Sequence, residues 1–279
     1  MTGATATTPW QENRPSTRWR LLDTSELIAF RELFLVLAKR DLRVRYAQAQ
    51  LGALWAVLQP LLGMIAFTLV FDRLAAVPSD GISYPLFAYL GLAVWTYVSK
   101  TMTAAATSLT DHLGLVTKVY VPRAIPPMAT ALPGLVDLGI ALALAVPLAL
   151  GVGANLTWAV LSAPLWVLPA VTAGLGIGLL LCRINVRYRD VKHLLGLLVQ
   201  VGLFVSPIAY PTSAVPEPWR RLYSLNPVVA PVEGLRFALG GGPAPPGAVV
   251  TLSLLGNGVL LLVGMLALAQ AERRFADVI

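Results

Sequence analysis

The sequence has few charged residues, two histidines and one cysteine. Only 13% of its 279 residues are charged, about half of the share in soluble domains, which is roughly 25%. The single cysteine, Cys182, excludes a disulfide within the chain and a metal site built on cysteines. His112 and His193 have no acidic residue at ligand spacing, so we predict no metal site.

Sequence motifs for nucleotide binding and for catalysis are missing as well. There is no G-x-x-x-x-G-K-[ST] motif, so the chain is not expected to hold the phosphates of ATP by itself. There is no H-E-x-x-H motif. No pair of carboxylates lies in a predicted cytoplasmic loop, where a membrane glycosyltransferase would hold a metal ion and a sugar nucleotide. We therefore predict no catalytic residue, metal ion or cofactor in this chain.

Apolar residues make up most of the chain. They account for 57% of it, and the mean hydropathy of +0.72 indicates an all-α integral membrane protein. The polar first 26 residues lack an apolar core, so we predict no cleaved signal peptide. We predict a cytoplasmic tail (1–25), an amphipathic interface helix (26–47) and a transmembrane domain (48–279). The six predicted spans are 51–71, 84–109, 128–150, 157–182, 194–210 and 248–270.

Positive charges are distributed unevenly between the two sides of the predicted bundle. The tails and loops on the side of the N-terminus, together with Lys100 near the same end of the second predicted span, contain 17 of the 21 Lys and Arg residues. Because basic loops stay in the cytoplasm, we predict that both termini are cytoplasmic. The net charge of +7 is therefore a topology signal, and no nucleic-acid partner is predicted.

The helix before the first predicted span has one apolar stripe. Its apolar residues recur at i, i+3, i+4 and i+7, at Phe30, Leu33, Phe34 and Leu37. Next to a span, such a helix is best placed flat in the lipid headgroup layer. The alternative is an ordinary surface helix. The stripe is followed by basic residues, Arg40 and Arg43 among them, which suit anionic headgroups.

Two predicted cytoplasmic loops are candidates for contact with a partner. The loop 110–127 can hold a short helix, over 113–120, that could transmit a push between two spans; the alternative is a plain connector. The loop 183–193 carries charged residues that either only set the topology or contact a partner or a lipid phosphate. These candidates are Arg187, Arg189 and Asp190.

The segment 212–247 is too polar to span the membrane. Pro218 can start one short helix that Asn226-Pro227 ends, and a second helix stops at the glycines 240–242. Trp219, Tyr223 and Phe237 suit a membrane interface. We expect a re-entrant or interfacial hairpin that acts as an outer gate, with a passive cap as the alternative.

Some residues inside the predicted spans are candidates for function or packing. Asp137 is the one acidic residue deep in a span, so it is either functional or hydrogen-bonded to a neighbouring helix. Gly174 and Gly178 have the spacing that lets two helices approach closely. Aromatic residues would suit sugar rings if they line a path, but most are expected to be packing residues. The path candidates are Trp55, Phe67, Phe204 and Tyr210.

Six segments, taken in order, resemble the membrane subunit of ABC-type polysaccharide exporters, the permease family for O-antigen, teichoic acid and related lipid-linked glycans. The resemblance as a whole covers about residues 25–270. Asp111-His112 departs from the more neutral pair expected there. The segments are RDLRVRYAQAQLGALWAVLQP (40–60), YLGLAVWTYVS (89–99), LVTKVYVPRAIPPM (115–128), NVRYRDVKHLL (185–195), FVSPIAYP (204–211) and LNPVVAPVEGLR (225–236).

The resemblance implies a homodimeric permease in the bacterial inner membrane that exports a polyprenyl-diphosphate-linked glycan. Two ATPase subunits would bind ATP and Mg²⁺ on its cytoplasmic face, and the first and fifth spans would line the path. It implies a coupling helix at 113–123 beside the interface helix and gate helices at 212–239. The implied coupling residues are Leu113, Lys118, Tyr120, Arg123, Arg40 and Arg43, and the outer gate residues are Trp219, Tyr223, Asn226, Glu233 and Arg236.

Two other functions stay open. One is an ABC exporter of a small drug or lipid on the same scaffold, against which an adjacent glycan-synthesis gene cluster would count. The other is a membrane glycosyltransferase or lipid-carrier enzyme, which would turn over substrate without an ATPase partner.

Overall fold

The computed structural model describes residues 28–47, 54–112, 114, 121–188 and 190–275. Within these ranges the chain is helical and contains no strand, which agrees with the all-α prediction. The helices are α1 (Arg31–Ala47), α2 (Leu54–Phe67), α3 (Tyr84–Asp111), α4 (Ile125–Ala129), α5 (Ala131–Gly151), α6 (Ala163–Arg187), α7 (Val191–Val205), α8 (Trp219–Tyr223), α9 (Val229–Gly240) and α10 (Gly247–Phe275). A π-helical turn, Thr68–Leu74, continues α2, and 3₁₀ turns lie at Trp158–Ser162 and Thr212–Ala214.

In the part of the chain that the structure describes, four helical stretches are long and apolar enough to cross a membrane. They coincide with the first, third, fourth and sixth predicted spans. The stretches are Leu54–Leu74, Ile125–Gly151, Trp158–Arg187 and Gly247–Gln270. At the fifth predicted span, α7 is apolar but has only 15 residues, which cover about 22 Å at 1.5 Å per residue.

The second predicted span corresponds to α3, which lies at the centre of the bundle. It has 28 residues, and 20 of them are buried. Tyrosines, hydroxyl side chains and Lys100 make it less apolar than the four long stretches, and Ser99, Thr101 and Ser108 are buried among them. Because α3 packs on other helices, it needs fewer purely apolar side chains than a helix that faces lipid. The number of spans therefore stays a prediction at six.

Two glycines bring α6 close to α3, as their spacing predicts. A Cβ atom at Gly174 would lie 3.0 Å from Cβ of Thr101, and one at Gly178 would lie 2.6 Å from Cβ of Ala105. The Gly178 position also faces backbone, because the carbonyl oxygen of Met102 would be 3.0 Å away. The two helices could not approach this closely with larger side chains.

We expect Gly178→Ala to destabilise the protein because its methyl group must push α6 away from α3. Overpacking of this kind costs about 1–3 kcal/mol. Gly258→Ala is the matched control, since it adds the same methyl group to α10 where no atom lies within 4 Å. The midpoint of thermal unfolding of the purified protein should fall for the first variant and not for the second. Equal midpoints would contradict the close approach.

The apolar stripe of α1 packs against protein. Leu37 and Ala38 are buried with Val121, Ile125 and Ala129, at the start of the third predicted span. Phe30, Leu33 and Phe34 pack against the same cluster. The stripe therefore attaches α1 to α4 and α5, and its placement in the headgroup layer stays a prediction.

The segment after the fifth predicted span contains two helices, α8 and α9, at the place of the predicted outer hairpin. Their arrangement as a re-entrant hairpin stays a prediction, and the name hairpin α8–α9 is used for residues 218–240. α8 begins after Pro218, and α9 ends where Gly241 adopts a left-handed backbone conformation with φ of +69°. These ends agree with the predicted stop signals. Ten of the 12 residues of α9 are buried, so this helix lies inside the bundle, whereas Trp219 of α8 is 62% exposed.

Candidate functional site

The best-defined polar cluster lies around residues 206–212, which connect α7 to the hairpin α8–α9. Pro207 and Pro211 cannot donate a backbone hydrogen bond, so a regular helix ends before this segment. Its carbonyl and hydroxyl groups then need other partners, because buried backbone groups are costly to leave unpaired. Side chains of α9, of the turn before it and of α3 supply these partners.

Arg236 of α9 occupies the centre of the cluster. Its guanidinium is buried, with the residue 1% exposed. It donates to the carbonyl oxygens of Ile208 (3.0 Å) and Phe87 (3.3 Å), and its central carbon lies 3.3 Å from the centroid of the Phe87 ring. Gly91 makes this possible, since a Cβ atom there would lie 3.0 Å from Nη2 of Arg236. One side chain thus joins α9, α3 and the 206–212 segment.

Glu233 balances the charge of Arg236 and adds a second connection. Its Oε1 lies 3.5 Å from Nη1 of Arg236. The same oxygen accepts hydrogen bonds from the backbone nitrogen (3.1 Å) and the hydroxyl (2.8 Å) of Thr212. A buried cation is stable only with a partner of this kind. The pair therefore fixes the end of the 206–212 segment to α9.

Two tyrosines hold the middle of the 206–212 segment. The Tyr84 hydroxyl, at the start of α3, donates to the carbonyl oxygen of Ala209 at 2.7 Å. The Tyr223 hydroxyl of α8 lies 3.4 Å from that of Tyr210, and the two rings are 6.1 Å apart. Burial raises the pKa of Tyr223, so its phenol stays protonated and can donate. The segment is therefore held from both α3 and the hairpin.

Asn226 connects the turn of the hairpin to the end of α7. Its amide nitrogen donates to the Ser206 hydroxyl at 3.2 Å, and its side-chain oxygen accepts from the backbone nitrogen of Val228 at 2.9 Å. Its own carbonyl accepts from Ser253 of α10 at 2.9 Å, and Asn257 donates to the neighbouring Pro227 carbonyl at 2.8 Å. The hairpin turn is thus attached to the sixth predicted span.

The sequence prediction missed Tyr84, Ser253 and Asn257. Ser253 and Asn257 lie four residues apart in an otherwise apolar helix and are both buried. That spacing puts two polar residues on one face of an apolar helix, a pattern that could have indicated a contact with another element. Tyr84 carried no signal, because its partner is a backbone carbonyl.

Of the predicted outer gate residues, the structure brings Tyr223, Asn226, Glu233 and Arg236 together. Trp219 lies apart from them on the exposed face of α8. Of the path candidates, Tyr210 belongs to the cluster through Tyr223. The others do not: Trp55 and Phe204 are exposed on α2 and α7, and Phe67 stacks on Phe71 with ring centroids 5.1 Å apart.

The predicted cytoplasmic candidates do not form one site within the described residues. Arg40 pairs with Asp41 at 2.8 Å and also contacts Nε2 of His112, while Arg43 is exposed. Arg187 lies over the Tyr188 ring, 5.3 Å from its centroid. Arg123 is half-buried and Asp190 is exposed. Leu113, Lys118, Tyr120 and Arg189 lie outside the described residues.

His112 connects the end of α3 to α1. Its Nδ1 lies 2.7 Å from the carbonyl oxygen of Ser108. Because an arginine only donates, Nε2 must accept from Arg40, and Nδ1 then carries the proton that is donated to Ser108. The departure at Asp111-His112 from the resembled family therefore coincides with a contact between two helices.

Asp137 meets residues of α1. Its Oδ2 lies 2.6 Å from Nη1 of Arg45, and its Oδ1 accepts a hydrogen bond from the Tyr46 hydroxyl. The sequence left open whether this acid is functional or hydrogen-bonded to a neighbouring helix. The structure supplies the hydrogen-bonded neighbour but does not test a function.

Comparison with known proteins gives consistent matches along most of the chain. The sequence model of the ABC-2 type transporter family matches residues 32–239. The chain is 31% identical to an O-antigen export system permease protein of Myxococcus xanthus, over 74% of this chain and 79% of that protein. It is 24% identical to an O-antigen export system permease protein of Klebsiella pneumoniae (89% and 95% covered). It is 23% identical to a polysialic acid transport protein of Escherichia coli (81% and 88% covered).

Proposed function

The chain belongs to the ABC-2 type transporter family, and we propose that it is the membrane subunit of an ATP-driven polysaccharide exporter. The substrate would be a polyprenyl-diphosphate-linked glycan, moved across the bacterial inner membrane. The observation that carries this proposal is the match to the Myxococcus xanthus O-antigen permease over most of both chains. One relative exports O-antigen and another transports polysialic acid, so what they share is a polysaccharide substrate. We therefore propose a polysaccharide as the class of substrate and name no individual glycan.

The chain is a transporter subunit and not itself an enzyme. We assign ATP hydrolysis to two separate nucleotide-binding subunits that carry ATP and Mg²⁺. Both termini would be cytoplasmic, in keeping with the location of 17 of the 21 Lys and Arg residues on that side. The ATPase subunits would then meet the basic loops and the end of α1.

Six spans fit the architecture if α3 is the second span and α7 begins the fifth. α7 is short, and the 206–212 segment continues it in a non-helical conformation. Irregular backbone is tolerated at membrane depth only where protein or a water-filled cavity satisfies it. Arg236 and Tyr84 satisfy two of its carbonyls, at Ile208 and Ala209. These contacts support a fifth span that is helical at first and extended at its outer end.

A homodimer is proposed because α7 has few partners within one chain. Val191 and Leu195 are its buried residues, and Gly202 adjoins the Trp95 ring. The opposite face presents large apolar side chains, at Leu194, Leu197, Val201, Phe204 and Val205. A second copy or the lipid tail of the substrate would cover this face, in keeping with a path lined by the first and fifth spans.

The physical task of the proposed exporter is to move a charged headgroup through hydrocarbon. A diphosphate cannot cross an apolar layer unaided, since desolvating a charge is very costly. The dimer would provide a polar path that opens when the ATPase subunits close. The hairpin α8–α9 would act as the outer gate. Because four of its side chains hold the 206–212 segment, we infer that the gate and the outer end of the fifth span move together.

Depleting the protein tests this function directly. We expect lipid-linked glycan to accumulate on the cytoplasmic side and cell-surface polysaccharide to disappear, with recovery when the chain and its ATPase partner are restored. Surface polysaccharide that persists at the normal level would contradict the proposal. Stimulation of the purified complex by small drugs, without stimulation by lipid-linked glycan, would favour the alternative exporter.

Charge reversal in the proposed coupling segment should separate ATP hydrolysis from export. Lys118→Glu and Arg123→Glu would weaken the contact with the ATPase subunits, and the midpoint of thermal unfolding checks that each variant is folded. We expect export to fall about tenfold, within the usual range of coupling energies between two sites. The exposed Arg221, on the opposite predicted membrane face, provides a control, Arg221→Glu. If ATPase stimulation and export stay normal in both variants, the coupling assignment is wrong.

A further inference from the structure

Asp137 carries a negative charge near the middle of a membrane-crossing stretch. It lies 12 residues after the start of Ile125–Gly151, a stretch of 27 residues, and six residues, about 9 Å, after the start of α5. The residue is 8% exposed. Since a charge at such depth must be paired or face water, the groups around Asp137 determine what it does.

Both oxygens of the Asp137 carboxylate are used by the last turn of α1. Oδ2 pairs with Arg45 at 2.6 Å, and Oδ1 accepts from Tyr46. Burial, and then the hydrogen bond to Asp137, raise the pKa of Tyr46 to about 12, so the phenol remains a donor. The partners lie 92 and 91 positions earlier in the chain, so this is a contact between separate elements.

The contacts at the two ends of α1 show how it runs. Its first turns pack against Ile125 and Ala129, at the start of the third predicted span. Its last turn reaches Asp137, near the middle of that span. α1 therefore follows α4 and α5 from their predicted cytoplasmic end into the bundle. Residues 48–53, which lead from α1 into α2, start directly after this contact.

A third charged group lies beside the pair. Lys100 of α3 and Asp137 line the same cavity, together with Thr96, Tyr97 and Gly134. Arg45 and Lys100 are both positive, so the cluster contains two cations and one anion. The single carboxylate thus offsets charge from both α1 and α3, and its loss would leave two cations facing each other.

We infer that Asp137 is a positioning residue that fixes the end of α1 against the middle of the third span. The inference rests on the proposed function, in which the ATPase subunits push on α1 from the cytoplasm. A helix attached only by its apolar first turns would tilt under such a push. With its last turn held at Asp137, α1 transmits the displacement to α5.

Replacing both Arg45 and Asp137 by neutral residues distinguishes a positioning role of the pair from a simple loss of charge balance. Asp137→Asn leaves Arg45 and Lys100 without their anion, and Arg45→Gln leaves Asp137 without its partner on α1. The double variant leaves two amides that can still hydrogen-bond, with Lys100 as the one remaining charge. Tyr46→Phe removes one donor and no charge, and serves if a single variant does not fold. Lys39→Gln is the control, since Lys39 is exposed on the same helix.

Two measurements are made on the dimer with its ATPase partner in lipid nanodiscs or vesicles. The first is glycan exported per ATP hydrolysed, and the second is the mobility of a nitroxide label at Val44→Cys, an exposed position on α1. We expect each single variant to lower export per ATP about tenfold, the factor that a hydrogen bond to a charged group corresponds to. The label should become more mobile, and the double variant should restore both values.

Unchanged mobility in the single variants, or a double variant as impaired as they are, would overturn the inference. Normal export per ATP in Asp137→Asn and Tyr46→Phe would overturn it too. The mobility measurement needs no transport. If the protein with no variant in the pair exports no glycan, the proposed function fails, while a label freed by Asp137→Asn would still show that Asp137 holds α1.

Discussion

Arg236→Met is expected to abolish export and to lower the stability of the protein by about 3–5 kcal/mol, the usual cost of breaking a buried ion pair. Methionine keeps most of the length of the side chain but donates no hydrogen bond. The carbonyl oxygens of Ile208 and Phe87 would lose their donor, and the Glu233 carboxylate would lose its cation. The midpoint of thermal unfolding and surface polysaccharide in complemented cells measure the two effects.

Adding a second substitution shows whether the unpaired Glu233 carboxylate or the lost hydrogen bonds of Arg236 account for more of the lost stability. Arg236→Met combined with Glu233→Gln removes the unpaired anion, so the double variant should regain part of the lost stability. It should not regain export, because the carbonyl oxygens of Ile208 and Phe87 would still lack their donor from α9. Arg221→Met is the control, since Arg221 is exposed on α8. If Arg221→Met and Arg236→Met lower the midpoint equally, the buried cluster does not hold the outer end of the protein together.

The ends of the outer hairpin could be predicted because their causes are local. Pro218 permits a helix start, Asn226-Pro227 forbids continuation, and Gly241 adopts a backbone conformation that other residues rarely take. The hairpin side chains that face the 206–212 segment could be proposed together as gate residues, because they too lie within one short stretch of the sequence. Their partners could not, since Arg236 binds the carbonyls of Phe87 and Ile208, which any sequence would offer.

The role of α3 could not be predicted from hydropathy. A helix packed among other helices and a helix that faces lipid are both apolar enough to be predicted as a span, so the apolar run alone does not show which of the two it is. The distinguishing features are small or polar side chains at the contacts, such as Thr101 against Gly174 and Ala105 against Gly178. The sequence showed the two glycines but not which helix they face, because that depends on the arrangement of the whole bundle.

Asp137 illustrates a different limit. Its position in an apolar span makes it a candidate, whereas Arg45 lies with Arg40 and Arg43 in the basic cluster before the first span, where the sequence indicates only topology. One arginine can do both, since charge sets the orientation during insertion and an ion pair forms afterwards. Pairing between residues 92 positions apart follows from tertiary structure alone.

The hairpin α8–α9 lies on the outer side of the proposed path, and the ion pair between Arg45 and Asp137 lies on its inner side. At the outer end, α9 holds the segment after the fifth span. On the inner side, the last turn of α1, which precedes the first span in the sequence, contacts Asp137 near the middle of the third predicted span. Both spans that are proposed to line the path are thus attached to elements outside it. Motion of these elements can therefore change the width of the path without rearranging the α3–α6 core.

Gly234→Ala should displace α9 from α6 and close the route for export. A Cβ atom at Gly234 would lie 2.0 Å from Cδ2 and 2.2 Å from Cε3 of the Trp166 ring, distances at which one of the two helices must move. Trp166 also donates to Ser162 at 3.2 Å, which restricts its rotation. We expect a loss of about 3 kcal/mol, at the upper end for overpacking, with export reduced in parallel.

The ring itself provides the test of this contact. Trp166→Leu removes the atoms that the new methyl group would meet, so adding it to Gly234→Ala should leave the protein more stable than the sum of the two single effects predicts. Neighbouring residues usually interact by about 0.5–3 kcal/mol in such a cycle. Gly258→Ala with Trp166→Leu is the control and should be additive. Because α9 carries both Glu233 and Arg236, the double variant that lets α9 pack on α6 again should also regain export. Additive losses of stability in the Gly234 cycle would show that other contacts position the hairpin.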